Sequence, residues 1–386
     1  MINLAHITTI DLSLRYLLLN QLKFFKDQGF RVVGISSSGP NVNVIEDGGI
    51  QHISVPISRQ LFSPLADLFS LVKLVNVLRK EKFQIVHVHT PKASFLGQVA
   101  ARIAGTPIII RTLHGFYFHN GTKPLLRKVL ILIERFAARY SDAILSQNSE
   151  DIKTAVREKI CSPEKISFLG NGIDLQLFNP DSIEQERLDK LRDEFEIDPQ
   201  KKIVGFVGRL VAEKGVLEIF QAIQEISSRL DDVQFLFVGP VDVGKKDAVT
   251  PQTAADLGIE EFCKFVGFQD DMPSIYALMN VFVLPSHREG FPRSLMEACA
   301  MGVPSIASDI RGCREVVKDH QNGLLVPVKD PDALAEALIV LLNDEKLASE
   351  IGQNGQIAAK LNFDEGIVFD KVLQTYQNQL TRKFPS

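Results

Sequence analysis

Short runs of β-branched and aliphatic residues alternate with segments of helical period along the whole chain, and they do so in two rounds. The first round holds RVVGISS at 31–37, QIVHVHT at 84–90, PIIIRTLHG at 107–115, DAILSQN at 142–148 and KISFLGNG at 165–172, with amphipathic stretches such as 65–80 and 94–104 between them. Strands that are apolar without alternation are buried on both faces, and helical crossovers supply the cover. This predicts a doubly wound parallel sheet. The pattern pauses over NPDSIEQERLDKLRDEFEIDPQK at 179–201, then restarts with KIVGFVGRL at 202–210, VQFLFVGP at 233–240, KFVGF at 264–268, VFVLPS at 281–286, PSIAS at 304–308 and NGLLVPV at 322–328. The chain of 386 residues, 45% hydrophobic and 23% charged, is long enough for two cores. The expected fold class is α/β: two doubly wound, Rossmann-like domains facing a cleft. Expected boundaries are 1–178 for the first domain, 179–363 for the second, and 364–386 for a C-terminal helix crossing back to the first.

The four cysteines, Cys161, Cys263, Cys299 and Cys313, are too far apart for a metal-ligand spacing and too few for a disulfide framework, so they read as buried small hydrophobes. The N-terminus, MINLAHITTIDLSLRYLLLN, has no basic residue before its apolar stretch and no small-residue cleavage site, and no run reaches the ~18 apolar residues of a membrane span. A cytoplasmic protein is expected. The net charge of −4 conceals a split: residues 1–180 carry 21 Lys and Arg against 13 Asp and Glu, and the remainder 22 against 34. A basic first half faces something anionic more readily than the acidic second half does. No nucleic-acid partner is expected.

Two stretches carry chemistry. In VGFVGRLVAEKG, 204–215, an apolar strand runs into Gly208 and Arg209, with Lys214 and Gly215 at the start of a helix. Two cations on such a turn suit a diphosphate, although a solvated surface turn would look the same. Neither G-x-G-x-x-G nor G-x-x-x-x-G-K-[ST] is present, so no dinucleotide fingerprint or P-loop is indicated. In SHREGFPRSLMEACAMGVP, 286–304, a strand end turns through HREGFP into a helix expected from Ser294 to Met301. Free amides at that helix start favour a phosphate. Glu289 on the turn and Glu297 inside the helix can each accept two hydroxyls, which suits a sugar or ribose diol. The acidic pairs Asp231-Asp232 and Asp270-Asp271 read as turn and cap residues, and His87 with His89 has no third ligand in view. No metal and no cofactor are expected.

With GRLVAEKG, the E-x7-E element EGFPRSLME, NGID at 171–174, HG at 114–115, GVPSIASDIRGCREVV and NGLLVPVKDPDALAEAL, the chain resembles the retaining GT-B nucleotide-sugar glycosyltransferases of family four over essentially its whole length. The resemblance implies that Arg209 and Lys214 hold the donor diphosphate, Glu297 grips the ribose and Glu289 lies by the donor sugar. It places the amides of Gly290 and Phe291 on sugar hydroxyls, those of Ser294 and Leu295 on phosphate, and His114 beside the sugar. Gly208 is donor-binding, and Val266, Gly267 and Phe268 border the base. Where many relatives have a Gly-Gly loop after the first strand, this chain has Thr8 and Thr9. Hydroxyls there replace amide contacts, and Ser13, Arg15, His89 and Lys92 are further acceptor-side candidates.

The resulting expectation is a metal-independent hexosyl- or N-acetylhexosaminyl-transferase taking a nucleotide-sugar, UDP favoured, to a saccharide acceptor of the undecaprenyl-linked kind, in cell-surface polysaccharide or glycan synthesis. Alternatives are a nucleotide-sugar epimerase of the same architecture, a non-catalytic nucleotide-sugar-binding subunit, and an NAD dehydrogenase, the last disfavoured by the missing glycine fingerprint. The segment KPLLRKVLILIERFAARYSD, 123–142, is expected to pack Leu126, Val129, Ile133, Phe136 and Tyr140 on the domain. Its other face would present Arg127, Lys128, Glu134, Arg135 and an exposed Ile131 to an anionic bilayer, making the enzyme peripheral at the inner leaflet.

Overall fold

A computed structural model describes residues 1–60, 62–118, 122–242, 244 and 247–385. The chain forms two compact units, one of residues 1–170 together with 368–386, the other of residues 171–367. In the first unit, strands β1 (Asn3–Ile10), β2 (Arg31–Ser37), β3 (Gln51–Ser54), β4 (Ile85–Val88), β5 (Ile108–Leu113), β6 (Ala143–Ser146) and β7 (Ile166–Phe168) make one sheet in the order β3-β2-β1-β4-β5-β6-β7. The second unit has β8 (Lys202–Val207), β9 (Val233–Val238), β10 (Cys263–Gly267), β11 (Val281–Leu284), β12 (Ser305–Ser308) and β13 (Leu324–Val326), ordered β10-β9-β8-β11-β12-β13. Every pairing between these strands is parallel.

In each unit the strand order reverses once, between β1 and β4 and between β8 and β11. The connections leave such a pair of strands in opposite directions, and a crevice opens at their carboxyl ends. The helices begin and end where local chemistry dictates. Pro91–Ala104 starts on proline and stops at Gly105 in the left-handed region, while Asp330 and Asp344 accept from the backbone N–H groups of Ala333 and Leu347 to start Pro331–Asn343 and Glu345–Asn362. The last helix, Glu365–Lys383, buries Val368, Val372 and Tyr376 in the same cluster as Leu4, Phe25, Ile85 and Ile108 of the first unit.

Two expectations are corrected. Thr8 and Thr9 are not in a loop: β1 runs on to Ile10, with its register against β2 shifting between Ile7 and Ile10. The helix Pro124–Ala138 is turned the other way. It buries Leu130, Ile131, Ala137 and Ala138, while Leu126, Val129 and Phe136 are exposed. The cause is a charge on the strand beneath. Arg111 of β5 is buried and forms a two-pronged ion pair with Glu134, and Arg127 pairs with Glu158 at 2.6 Å. A buried guanidinium needs its carboxylate, so the polar face of this helix turns inward and carries Ile131 with it.

Gly215 lies at φ 78°, and a Cβ there would sit 2.1 Å from the Pro285 carbonyl oxygen. Only glycine lets the turn after β8 approach the turn after β11 so closely. Gly215→Ala is expected to destabilise the protein by about 2–5 kcal/mol, combining left-handed strain with a backbone clash. Gly258 has a similar φ of 69° but nothing within 4 Å of its Cβ position, so Gly258→Ala should cost only about 1–2 kcal/mol. Denaturant titration of the two variants tests this, and equal losses would mean the close approach is not what glycine serves.

Candidate active site

The strand-order reversal in the second unit brings the turn after β8 beside the turn after β11. The first turn carries Gly208, Arg209 and Lys214, the second Glu289, Gly290 and Phe291. Lys214 Nζ donates to Glu289 Oε1 at 2.6 Å, and Ser286 Oγ donates to the same oxygen at 2.8 Å. Two further contacts join the turns, His287 N to Glu213 O at 2.9 Å and Arg288 to Glu213 Oε1 at 3.1 Å, and His287 Nε2 meets Glu218 Oε1 of the helix Val216–Ile226 at 2.7 Å. Gly312 backs them, since a Cβ at that position would meet the Glu289 carbonyl at 2.5 Å. Arg209 Nη1 donates to Asp242 Oδ2 at 2.9 Å, with its side chain 40% exposed. An anion arriving at these turns would compete with Asp242 and Glu289 for two cations already in place.

Glu297 lies in the helix Arg293–Ala300, which starts behind Pro292 with no side-chain cap. Ser294 and Leu295 are therefore in an uncapped first turn. The Glu297 carboxylate is buried, accepting from Tyr276 Oη at 2.9 Å and Arg293 Nε at 3.0 Å. Burial raises its pKa, while Arg293 and Tyr276 pull the other way. The Tyr276 hydroxyl is pushed well above its usual range by burial and stays a donor. Phe291 is core: its ring meets Phe363 edge-on at 6.0 Å, and its carbonyl accepts from Asn171 Nδ2 at 3.3 Å. At the end of β10, the Val266 carbonyl accepts from Gln269 Nε2 at 2.7 Å and the Gly267 carbonyl from Gly239 N at 2.7 Å, while Phe268 stands exposed. Gly208 N donates to Val238 O at 2.9 Å, so the ends of β8, β9 and β10 are tied in series.

In the first unit, the reversal gathers Thr8 and Thr9 at the end of β1 with His89 after β4. Thr8 Oγ1 donates to Ile10 O at 2.9 Å, and Thr9 Oγ1 lies 2.9 Å from Thr90 Oγ1. Ser13 follows on the short helix Asp11–Ser13, and Arg15 Nη1 donates to Asn41 Oδ1 at 3.0 Å. The Lys92 ammonium is held by Asp67 at 2.7 Å and Ser63 Oγ at 2.6 Å, so it fastens the start of the helix Pro64–Glu81. His114, after β5, lies 2.9 Å by its Nδ1 from Gln147 Oε1 and 3.4 Å by its Nε2 from His89 Nδ1.

The pair His87 and His89 does have a third histidine beside it: His6, from β1, and the three offer nitrogens within 4.8 Å of one another. Sequence reading missed His6 because it stands 81 positions from His87, and nothing in LAHITT distinguishes it from a packed strand residue. It likewise missed Tyr276 and Arg293, which hold Glu297, and Asp242, which holds Arg209.

Tyr276→Phe leaves the buried Glu297 Oε2 without its hydroxyl donor. The loss is expected to be about 1–3 kcal/mol of stability at neutral pH. Because the folded pKa of Glu297 is raised above the unfolded value, its ionisation opposes the fold as pH rises through the folded value, and the hydroxyl offsets that. The difference between variant and parent should therefore shrink as pH is lowered through that value. Denaturation curves across pH 4–8 check it, and a pH-independent loss would show that the hydroxyl does not serve the ionised carboxylate.

Residues 16–177 match the family model described as Glycosyltransferase Family 4, and residues 188–357 that described as Glycosyl transferases group 1. The Staphylococcus aureus capsular polysaccharide biosynthesis glycosyltransferase CapM is 30% identical over 97% of this chain and 97% of its own. The Escherichia coli UDP-Gal:alpha-D-GlcNAc-diphosphoundecaprenol alpha-1,3-galactosyltransferase is 29% identical over 99% of this chain and 98% of its own. Among solved structures, Anabaena HepE in complex with UDP-glucose shares the fold at a TM-score of 0.83, covering 98% of this chain and 100% of its own at 21% identity. The protein is a glycosyltransferase and belongs to family four of the GT-B glycosyltransferases.

Proposed function

We propose that the protein transfers a hexose or N-acetylhexosamine from a UDP-sugar to a saccharide carried on a polyprenyl diphosphate, with retention at the anomeric carbon. The observation that carries this is the contact of Lys214 with Glu289 at the second unit's strand-order reversal, 2.6 Å across two turns, with Arg209 on the same turn as Lys214. A nucleoside diphosphate needs cations for its phosphates and a carboxylate for its hydroxyls, and these turns supply both kinds of group. Glu297, held by Tyr276 and Arg293, is the ribose group in this reading, and the uncapped turn at Ser294 and Leu295 faces phosphate. The printed name of the E. coli relative gives UDP-galactose as its donor and a diphosphoundecaprenol-linked sugar as its acceptor, which favours the same classes here.

In the proposed reaction the bond from the anomeric carbon to the diphosphate oxygen breaks, and a bond to the acceptor oxygen forms on the same face. The acceptor proton passes to the leaving diphosphate, whose charge Arg209 and Lys214 stabilise. Two fixed cations do the work that a divalent ion would do, so activity is expected to be independent of added metal. The direct test is to incubate the protein with a panel of nucleotide sugars, with and without polyprenyl-diphosphate saccharides, and to measure released nucleoside diphosphate and the anomeric configuration of the product. Lys214→Ala should lower turnover by on the order of 10²-fold or more. Unchanged turnover in the folded variant, an inverted product, or a loss on chelation restored by Mg²⁺ would each overturn part of this reading.

No helix among the described residues is long and apolar enough to cross a membrane, so an acceptor in lipid must be met at a surface. The first unit offers one. Leu65, Leu68, Phe69 and Val72 form an exposed stripe on Pro64–Glu81, and Leu125, Val129, Leu132 and Phe136 another on Pro124–Ala138. Both helices pack against Pro91–Ala104. Leu65 is 86% and Leu125 77% exposed, a cost in water that lipid would relieve. Lys73, over the Phe69 ring at 4.7 Å, and Lys123 and Lys128 add positive charge beside these stripes. The proposed partner is the anionic face of a bilayer, at the inner leaflet. Co-sedimentation should require anionic liposomes, weaken with salt, and fall several-fold in a Leu125→Ser/Leu132→Ser/Lys128→Glu variant, since each cation near the headgroups is worth about 1 kcal/mol. Binding indifferent to lipid charge would point to a soluble acceptor.

A further inference from the structure

Six hydrogen bonds run in series through the interior of the first unit. Thr112 Oγ1 lies 2.8 Å from His87 Nε2, His87 Nδ1 is 2.6 Å from Tyr376 Oη, and Tyr376 Oη is 3.2 Å from His6 Nε2. The chain continues from His6 Nδ1 to His89 Nε2 at 3.0 Å, His89 Nδ1 to His114 Nε2 at 3.4 Å, and His114 Nδ1 to Gln147 Oε1 at 2.9 Å. His6, His87, His89, Thr112 and Tyr376 are all buried. We infer that these residues form one polarised hydrogen-bond chain that holds His114 as the neutral Nδ1–H tautomer, so that its Nε2 lone pair is what it offers to a ligand hydroxyl.

The polarity follows from proton accounting. A neutral imidazole has one N–H and one lone pair, so fixing one nitrogen fixes the other. Gln147 Oε1 can only accept, so His114 Nδ1 carries the proton and His114 Nε2 accepts. His89 Nδ1 must then donate, His89 Nε2 accepts from His6 Nδ1, His6 Nε2 accepts from the Tyr376 hydroxyl, that oxygen accepts from His87 Nδ1, and His87 Nε2 accepts from the Thr112 hydroxyl. Every proton has an acceptor. The reverse polarity would require Gln147 to turn its amide, and would leave the buried Thr112 hydroxyl proton with no acceptor. Both ends therefore select the same direction. Burial keeps the rings neutral, lowering His6 to about 3 and His114 to about 4, with His87 and His89 also well below the usual histidine range.

A metal at His6, His87 and His89 fits less well. A metal needs in-plane lone pairs to converge on one point about 2.0–2.1 Å from each nitrogen. His87 and His89 instead stack at 4.2 Å with their planes 29° apart, and His6 and His89 at 5.1 Å and 13°. Their lone pairs run side by side, and the nitrogens are already engaged with one another, Tyr376 and Thr112.

The consequence lies at the longest link. His89 holds His114 Nε2 only at 3.4 Å, so a ligand hydroxyl that donates at a shorter distance can take that lone pair, whereas an oxygen that only accepts is repelled by it. His6, His87, His89, Tyr376 and Gln147 are then positioning residues acting through His114. That the hydroxyl belongs to a sugar rests on the glycosyltransferase reading, but the chain itself does not.

Long-range ¹H–¹⁵N spectra of the full-length protein labelled with ¹⁵N-histidine test the chain without any substrate, and so separately from the reaction. Four histidines should show a protonated Nδ1 and an unprotonated Nε2 at pH 7, and none of the four should titrate above pH 5. Gln147→Glu should keep the His114 tautomer but raise its titration midpoint by about 1 unit or more, because a carboxylate favours the imidazolium. Tyr376→Phe should shift the nitrogen signals of both His6 and His87. Nε2–H at His89 or His114, titration near pH 6.5, a Tyr376→Phe spectrum unchanged at His6 and His87, or stoichiometric Zn²⁺ uptake that abolishes the Nδ1–H signals would each overturn the inference.

Discussion

A parallel sheet presents all its strand ends of one kind on one edge, and every connection must return across a face. That constraint shapes both units. It buries the strands on two sides, which is why Ile108–Leu113 and Val233–Val238 are buried at every residue and hold unbroken apolar runs at 108–110 and 235–238. It also forces a crevice wherever the strand order reverses. At β8 and β11 the crevice edges are the turns that carry Lys214 and Glu289, and at β1 and β4 they are the strand ends that carry Thr9 and His89. The polar chemistry of this protein collects where parallel pairing leaves a gap.

The two reversals are finished differently. In the second unit, ion pairs on the turns dominate: the partly exposed Arg209 with Asp242 and the more buried Lys214 with Glu289. An anionic ligand can exchange for their carboxylates, since its phosphate oxygens accept from the same two cations. The turns are also held by close backbone approach at Gly215 and Gly312 and by the bond from His287 N to Glu213 O. At the first unit's reversal the histidines are neutral, and each polar group is satisfied by the next in a series that runs from Thr112 through Tyr376 of the C-terminal helix to Gln147. A buried polar series has to be complete, because one unmatched donor costs more than a satisfied bond returns. The second unit's reversal is built to exchange partners, and the first keeps its own up to the long His89–His114 link.

The helix Pro124–Ala138 shows how a single buried charge overrides periodicity. Its sequence has a clean apolar stripe through Leu126, Val129 and Phe136, which hydrophobic patterning would place against the sheet. Arg111 lies beneath it on β5, and the requirement for Glu134 outweighs the burial of that stripe. The exposed apolar surface left behind is the same surface that the lipid reading uses.

Local chemistry in the chain was enough to establish the alternation of strands and helices, its restart after a pause, and the cap residue Asp271, because each depends on neighbours within a few positions. The family and the placing of Arg209, Lys214 and Glu289 on strand-to-helix turns, with Glu297 in the helix that follows, were legible for the same reason: each motif is contiguous. Only the tertiary structure decided which groups hold those residues. Asp242 meets Arg209 across 33 positions and Lys214 meets Glu289 across 75, while Tyr376 meets His87 across 289. No spacing rule spans such gaps, since strand order in the sheet, not order along the chain, sets which side chains meet. The inward turn of Glu134 and the series of four histidines are of this kind, fixed by what lies on the neighbouring strand and invisible until the sheet is assembled.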